Sequence, residues 1–479
     1  MNIKKKTLLG LFWNGMELVG GRVIQFLVII ILSHYLSPKE FGTIALLIVF
    51  IELSRILLDS GFTQALIREK NTTNEDLASV FYFNIFVSFI IYIIFYLLAP
   101  TISDFYHFPE LTLFSRIAFF AIIINAFGIV QNAILTKNMN FQVLAKRTLI
   151  TNIIAGCFAI LLAYLNFEIW SLIGQILLSS FLRVVMLWKF SSWRPSSFIK
   201  LASLKKLFSF SIYLLISNFI DIIVSNIQVL LIGRFYVTTE VGLYSQAKNL
   251  STLPYQTLTS IVKNVTYPGL STMQNSKREL TFMYKKVIRL SMFVTVPFVV
   301  ILISIADKLI PFLLGEQWIE LIQYFMILSL IGVMYPLYSL SQNIFLAKGN
   351  GKLFLKLSVL KRIITLGGVI LTIQWSVFAL VIAQVITMAF NTLLTMYYLS
   401  KEIDYSLVEQ LKDIIGVYLN SAIMFIGMFL LKEYFILEND IFYILFWIVL
   451  ESLLYLFLSI LFQKKLVEEI KLIRKNLYK

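Results

Sequence analysis

The segment Pro38-Lys39-Glu40-Phe41-Gly42 recurs 200 residues later as Thr238-Thr239-Glu240-Val241-Gly242, and each copy directly follows a long apolar stretch. Two further segments recur in the same order. Residues 131–137 (Gln-Asn-Ala-Ile-Leu-Thr-Lys) return at 342–348 (Gln-Asn-Ile-Phe-Leu-Ala-Lys), an offset of 211, and Trp170-Ser171-Leu172 returns as Phe378-Ala379-Leu380, an offset of 208. We call these three repeated segments anchors. They recur in the same order and at nearly the same offset, which indicates a duplicated unit.

The composition between these anchors is too apolar for a water-soluble core. Of the 479 residues, 59% are hydrophobic and 14% are charged, whereas soluble domains carry about 25% charged residues. Lipid therefore has to replace water around most of the surface. Cys157 is the single cysteine and there are two histidines, so we expect no disulfide, no metal site and no cofactor.

Fourteen stretches are long and apolar enough to cross a bilayer, at roughly 20 residues each. They lie near residues 10–36, 41–66, 77–99, 112–136, 148–165, 168–188, 207–235, 241–268, 285–306, 320–346, 353–373, 376–399, 411–431 and 441–463. The loops between them are short. The expected fold class is all-α, a polytopic membrane protein of about 14 transmembrane helices. The basic N-terminus resembles a signal peptide, but no small-residue cleavage site follows, so we interpret it as part of an uncleaved first helix.

Lysine and arginine are distributed unequally between alternate loops. With the N-terminus inside, the cytoplasmic segments hold 30 of the 41 basic residues, the outer loops hold 3, and 8 lie within helices. This bias is typical of positive charge retained in the cytoplasm, and it predicts that both termini are cytoplasmic. It also accounts for the net charge of +15, so we expect no nucleic acid as a partner.

The repeat anchors lie six helices apart, and an even number gives both copies the same orientation. The sequence therefore predicts two parallel six-helix repeats plus two C-terminal helices. The N-terminal lobe spans 1–206, the C-terminal lobe spans 207–400, and helices thirteen and fourteen with a basic cytoplasmic tail occupy 401–479. Duplicated lobes suit alternating access, in which they rock around a site between them. The alternative is that duplication merely enlarges a structural protein.

Ionisable groups inside the spans are candidates for that site, because charges within a membrane are costly and usually face a cavity or a partner. Glu52, Arg55 and Asp59 in the second span are spaced by three and four residues, so they share one helix face and can pair. They form either a charged cavity wall or a self-neutralised ladder. In the first span Arg22 is too far from both ends to snorkel. Its partner is either Glu17 or an acid on another helix.

Two further spans carry polar stripes that do not suit a lipid-facing surface. Asp221 lies on such a stripe in the seventh span, where it is suited to binding a proton or sodium, or else to interhelical hydrogen bonding. Lys248 lies on the stripe of the eighth span. Glu451 in the fourteenth span lies outside the repeat, and no function follows for it. The basic residues nearer the span ends are expected to snorkel to the interface; these are Arg116, Arg183, Arg234, Lys263 and Arg289.

These features together resemble one family. They include the turn at 36–42 (Leu-Ser-Pro-Lys-Glu-Phe-Gly), the segment 242–247 (Gly-Leu-Tyr-Ser-Gln-Ala) continuing through 253–254 to 267–271, the Gly-Glu-Gln-Trp at 315–318, and residues 342–349. The chain resembles the polysaccharide transporters, the Wzx/O-antigen and teichuronic-acid type flippases. Their superfamily also holds multidrug-and-toxin exporters and lipid II flippases. The resemblance covers nearly the whole chain.

The resemblance implies a flippase that moves undecaprenyl-pyrophosphate-linked oligosaccharides from the inner to the outer leaflet of the bacterial cytoplasmic (inner) membrane. It implies two lobes around a V-shaped cavity, with the polyprenyl tail left in membrane lipid, and possible partners in the polymerase and glycosyltransferases of the pathway. Arg22, Arg55 and Lys248 are then predicted to contact the pyrophosphate or acidic sugars, since Arg and Lys pair with phosphate oxygens. The acids predicted to balance those charges or carry coupling ions are Glu17, Glu52, Asp59 and Asp221.

Three other functions remain open at this point. An ion-coupled small-molecule (drug) exporter would share the fold. A membrane-embedded glycan polymerase or ligase would usually carry a long outer loop bearing catalytic residues, whereas the outer loops predicted here reach about a dozen residues. We therefore expect no catalytic residues and no enzyme activity. A structural envelope protein would not need paired charges inside the membrane.

Overall fold

The computed structural model describes residues 3–59, 61–69, 72–196, 199–273, 276–432, 434–435 and 439–463. These residues form α-helices and one short 3₁₀ helix, and no strand occurs among them. The predicted all-α fold class is confirmed. The basic tail predicted for residues 464–479 lies outside the described residues.

Eighteen α-helices make up the described part of the chain. They are α1 (Ile3–Ser33), α2 (Pro38–Asp59), α3 (Phe62–Arg68), α4 (Asn74–Phe105), α5 (Leu111–Ala118), α6 (Phe120–Ala126), α7 (Ile129–Lys137), α8 (Phe141–Tyr164), α9 (Ile169–Phe190), α10 (Leu201–Phe235), α11 (Thr238–Thr272), α12 (Lys277–Ser304), α13 (Ala306–Leu314), α14 (Leu321–Ala347), α15 (Gly351–Thr372), α16 (Val377–Glu402), α17 (Leu407–Leu431) and α18 (Asp440–Phe462).

The number of helices able to span a membrane approaches the predicted fourteen. Eleven described helices are long and apolar enough to cross, and a twelfth span results if the pair Leu111–Ala126 and Ile129–Lys137, bent by 44°, is taken as one. The eighth and eleventh predicted spans correspond to α11 and α15, which are absent from that set. In α11 the polar stripe lowers the mean hydropathy of the helix. Its residues Tyr244, Ser251 and Thr259 are all buried. A membrane protein can keep such groups only where protein covers them.

Two compact units divide the chain, residues 1–242 and residues 243–479. In the first unit α1 packs on α8, α8 on α9, α6 on α9, and α10 on both α2 and α3. In the second unit α14 packs on α12 and α16, α15 on α16, and α17 on α12 and α18. The lobes predicted from the repeat, 1–206 and 207–400, are a different division of the chain and stay a prediction.

In the second unit a polar cluster joins the middle of α12 to the N-terminal part of α17. Arg289 and Tyr405 each donate a hydrogen bond to Asp413, at 2.7 Å to Oδ1 and 2.7 Å to Oδ2 respectively. Burial raises the pKa of Tyr405, so its phenol remains a proton donor. Arg289 was expected to snorkel, and the structure pairs it with this acid instead.

Local sequence explains where α2 begins. Pro38 occupies the first helical position, where its missing N–H costs nothing. Glu40 folds back so that the backbone N–H of Ser37 donates to its carboxylate at 2.7 Å, and the hydroxyl of Ser37 donates to the same oxygen. The Glu40 carboxylate thereby satisfies the backbone N–H of Ser37, just before the helix.

The two anchor glycines lie where the first turns of α2 and α11 meet. A Cβ added to Gly42 would overlap the carbonyl oxygen of Thr238, and one added to Gly242 would overlap the carbonyl oxygen of Pro38. Both contacts are with backbone, which cannot rotate away as a side chain can. The repeated motif thus marks a point where two equivalent helix starts approach too closely for any side chain.

Gly42→Ala is expected to lower the free energy of unfolding by about 3 kcal/mol, the upper end for overpacking, because the added methyl meets backbone. Thermal unfolding of the purified protein in detergent checks this.

Gly367→Ala is the matched control, since its added Cβ would meet open space in α15. This variant should unfold at or slightly above the wild-type temperature, because alanine favours helix by up to about 1 kcal/mol over glycine. Equal unfolding temperatures for the two variants would contradict the close contact.

Candidate functional site

A cavity of about 310 Å³ lies within the first unit, where α2, α3, α6, α7, α8 and α9 meet. We call it the basic cavity. Its lining combines three arginines and one aspartate with amide, hydroxyl and aliphatic groups: Arg55, Leu58, Asp59, Thr63, Asn125, Gly128, Ile129, Asn132, Arg147, Arg183, Val184 and Leu187.

Arg147 is held in a fixed position by three helices. Its guanidinium donates to Glu17 Oε1 at 3.1 Å, to Asn132 Oδ1 at 2.8 Å and to Thr148 Oγ1 at 3.1 Å. Thr148 in turn donates to the same Glu17 oxygen at 2.7 Å. The side chains of Arg147 and Glu17 keep only 11% and 20% of their exposure. Mutual neutralisation and the extra hydrogen bonds make such a buried pair tolerable.

Arg55 and Arg183 are the cavity cations that Glu17 does not neutralise. Neither forms an ion pair or hydrogen bond with another residue in the described part of the chain. Asp59 lies on the same wall and accepts a hydrogen bond from the backbone N–H of Thr63 at 3.0 Å. With Arg147 neutralised by Glu17, the lining carries an excess of one positive charge, and two guanidinium groups are available to a ligand.

The face of α2 that carries three charges is arranged differently from the expected ladder. Glu52 accepts a hydrogen bond from Asn226 Nδ2 at 3.2 Å, and the Glu52–Arg55 and Arg55–Asp59 ion pairs are not formed among the described residues. Of the two readings that the spacing left open, a cavity wall describes Arg55 and Asp59 better than a self-neutralised ladder does.

The remaining predicted residues lie elsewhere. Glu17 pairs with Arg147 on α8, so the partner of Arg22 on α1 is another group. Arg22 and Asp221 are half-buried and both interact with neighbouring groups. In the second unit the ammonium of Lys248 lies 5.9 Å from the ring centre of Tyr244, whose hydroxyl donates to Gln384 Oε1 at 3.1 Å.

Sequence reasoning missed two of the three cavity arginines. The predicted fifth span begins at residue 148 and so excludes Arg147, whereas α8 begins at Phe141 and contains it. Arg183 was assigned to snorkelling, and the structure places it on the cavity instead. One available signal was Asn132, part of the repeated Gln-Asn anchor, which accepts a hydrogen bond from Arg147.

The apolar spans make this a multi-pass membrane protein, and a charged cavity lies inside its first unit. The sequence profile of the family described as polysaccharide biosynthesis protein matches residues 31–323. The chain belongs to this family.

Two curated relatives and one solved structure are similar to this chain. A membrane protein of the cps region of Klebsiella pneumoniae is 24% identical over 410 residues, 84% of each chain. The teichuronic acid biosynthesis protein TuaB of Bacillus subtilis is 25% identical over 355 residues, 74% of this chain and 73% of TuaB. The lipid II flippase MurJ in its inward closed conformation is similar in fold, with a TM-score of 0.74 at 17% identity over 95% of this chain and 99% of MurJ.

The Glu17–Arg147 pair generates a stability prediction. Arg147→Gln should lower the free energy of unfolding by about 3 kcal/mol, because it leaves the Glu17 carboxylate buried without its cation. The double variant Glu17→Gln with Arg147→Gln should recover much of that loss, because two neutral amides remain. Thermal unfolding of the four proteins in detergent measures the coupling.

Additive losses in the double variant would contradict the assignment of these side chains as a pair.

Proposed function

We propose that this protein is a flippase that translocates undecaprenyl-pyrophosphate-linked oligosaccharide repeat units from the inner to the outer leaflet of the bacterial cytoplasmic membrane by alternating access. Both termini lie in the cytoplasm in this proposal. The observation that carries it is the basic cavity, which offers two guanidinium groups that have no ion-pair or hydrogen-bond partner among the described residues. Relatives named for polysaccharide biosynthesis support the same class of cargo.

The chemistry of the cavity suits a pyrophosphate. A guanidinium donates two parallel hydrogen bonds to phosphate oxygens, and such charge-assisted bonds strengthen where water is scarce. Arg55 and Arg183 supply these donors. Arg147 is paired with Glu17 and hydrogen-bonded to Asn132, so its role is to shape the cavity. Among the residues predicted from sequence, Arg55 keeps its direct role, and Arg22 and Lys248 remain proposed contacts for the pyrophosphate or acidic sugars.

Asp59 provides a way to release the cargo. It lies one helical turn from Arg55 on the same face of α2, so Arg55 can exchange between the bound anion and this carboxylate. Replacing a ligand by an internal counter-charge avoids leaving a desolvated cation behind when the anion departs. Glu52 and Asp221 are proposed to balance charge or to carry coupling ions in the same way.

The lipid tail needs a separate, apolar surface. In the second unit α11 and α12 enclose a cleft of about 390 Å³ whose lining is almost wholly apolar. Leu258 and Ile261 line it from α11, and Leu290 and Val294 line it from α12. A polyprenyl tail would move between lipid and this cleft without meeting water, so van der Waals packing against these side chains would hold it there. The cleft is therefore our proposed seat for part of the tail.

Arg55→Gln and Arg183→Gln should each slow export of surface polysaccharide about ten- to hundred-fold, because each removes a charge-assisted bond of about 1.5–3 kcal/mol. The complete lipid-linked repeat unit should accumulate while the protein still inserts. Extraction and quantification of lipid-linked glycans in cells that express each variant measures this.

Lys146→Gln is the matched control, because Lys146 is an exposed neighbour of Arg147 on α8 and does not line the cavity. It should leave export unchanged. Normal export by both arginine variants would contradict the assignment of the basic cavity as the pyrophosphate site. Loss of cationic dye efflux in place of polysaccharide export would point to a small-molecule exporter of the same fold.

Val294→Trp should slow export as well, because the indole fills the cleft that we assign to the tail. Val359→Trp, an exposed valine on α15, controls for the added bulk. The same extraction of lipid-linked glycans measures both variants, and equal export by the two would remove the cleft from the proposal.

A further inference from the structure

Glu451 is a buried carboxyl group that the proposed transport site does not use. It is the twelfth of 23 residues in α18, so it lies near the middle of a span. Only 1% of its surface is exposed. Among the described residues no lysine, arginine or histidine lies within ion-pair distance of it. A carboxylate in such a place would be costly, because charge buried without a counter-charge loses its hydration.

The hydrogen bonds around Glu451 indicate the protonation state of its carboxyl group. Ser304 Oγ on α12 lies 2.6 Å from Glu451 Oε1 and 2.7 Å from the carbonyl oxygen of Ile301. A serine hydroxyl has one hydrogen to donate, and a carbonyl oxygen has none. If Glu451 were ionised, two acceptors would compete for that one hydrogen, and one short oxygen–oxygen contact would be left without a proton.

A protonated Glu451 satisfies both contacts. Its O–H donates to Ser304 Oγ, and the Ser304 hydroxyl donates onward to the carbonyl of Ile301. The distance of 2.6 Å is ordinary for an O–H···O bond. The second carboxyl oxygen, Oε2, has no hydrogen-bond partner among the described residues. The carbonyl oxygen of a neutral acid tolerates this better than the charged oxygen of a carboxylate does.

We infer that Glu451 is a proton-binding site of the second unit, occupied at neutral pH, and that its proton completes a hydrogen-bonded chain from α18 through Ser304 to the backbone of α12. When the proton leaves to water, a buried carboxylate without a counter-charge remains at the α12–α18 contact, so proton release weakens that contact. Proton binding is thereby linked to the packing of α18 against α12.

The groups that face α18 leave this proton without a competing counter-ion near the middle of the helix. Packed against α18 are α12, α13 and α17. Asp307 and Lys308 of α13 pair with Lys432 and Asp440. Between α12 and α17, Arg289 pairs with Asp413 and Lys285 pairs with Glu409. The tyrosines on α18 itself, Tyr443 and Tyr455, are neutral phenols at neutral pH.

Infrared spectroscopy of the full-length protein in liposomes tests the site directly, because a protonated carboxyl has its own C=O stretching band. We expect that band at neutral pH in the wild type and its loss in Glu451→Gln, an isosteric change that keeps the fold. Glu17→Gln is the matched control and should leave the band in place, since Glu17 forms an ion pair with Arg147. Identical spectra for wild type and Glu451→Gln would overturn the inference.

Ser304→Ala supplies a second readout that does not depend on how Glu451→Gln folds. Removing the acceptor of the carboxyl O–H should keep the band but move it to higher frequency. An unmoved band, or none, would overturn the hydrogen-bonded chain. Neither measurement involves transport, so a negative result here leaves the proposed flippase function untouched, and a failure of that function leaves this site standing.

Discussion

The backbone contact between the first turns of α2 and α11 is the constraint on which the rest of the first unit depends. Glycine at positions 42 and 242 lets the two helix starts approach closely. A methyl group on either glycine would overlap the backbone of the other helix. Because α2 is fixed at its start, the helix carries Arg55 and Asp59, four and five turns further on, to a set place against α7, α8 and α9. A motif duplicated in sequence thus becomes a point of contact that positions the charged wall.

The arginines of the basic cavity are of two kinds: one is paired with a protein carboxylate, and two can bind a ligand. Arg147 is neutralised and held by Glu17 and Asn132, which makes it part of the scaffold. Arg55 and Arg183 have no such partner among the described residues. A membrane protein tolerates unpaired guanidinium groups only where water or a ligand reaches them, so their presence argues for a cavity that receives an anion in the course of function.

Much of this fold could be predicted from sequence, because apolar length and loop charge depend on the solvent and not on distant contacts. Each predicted span corresponds to a helix or a run of helices. The breaks within the second and fourth spans were not predicted, since they arise from local geometry such as the left-handed Gly61 (φ 73°) before α3. In the site, Arg55 and Glu17 stood out as intramembrane charges, whereas the Glu17–Arg147 pair joins residues 130 positions apart, a separation that spacing alone does not reveal.

The central claim is that this chain carries a lipid-linked glycan across the bilayer. Depletion of the protein in its own host, followed by extraction of undecaprenyl-linked glycans and determination of the membrane face that displays them, tests it most directly. The account predicts that a complete lipid-linked repeat unit accumulates on the cytoplasmic face. An unchanged lipid-linked pool together with normal surface glycan would contradict it.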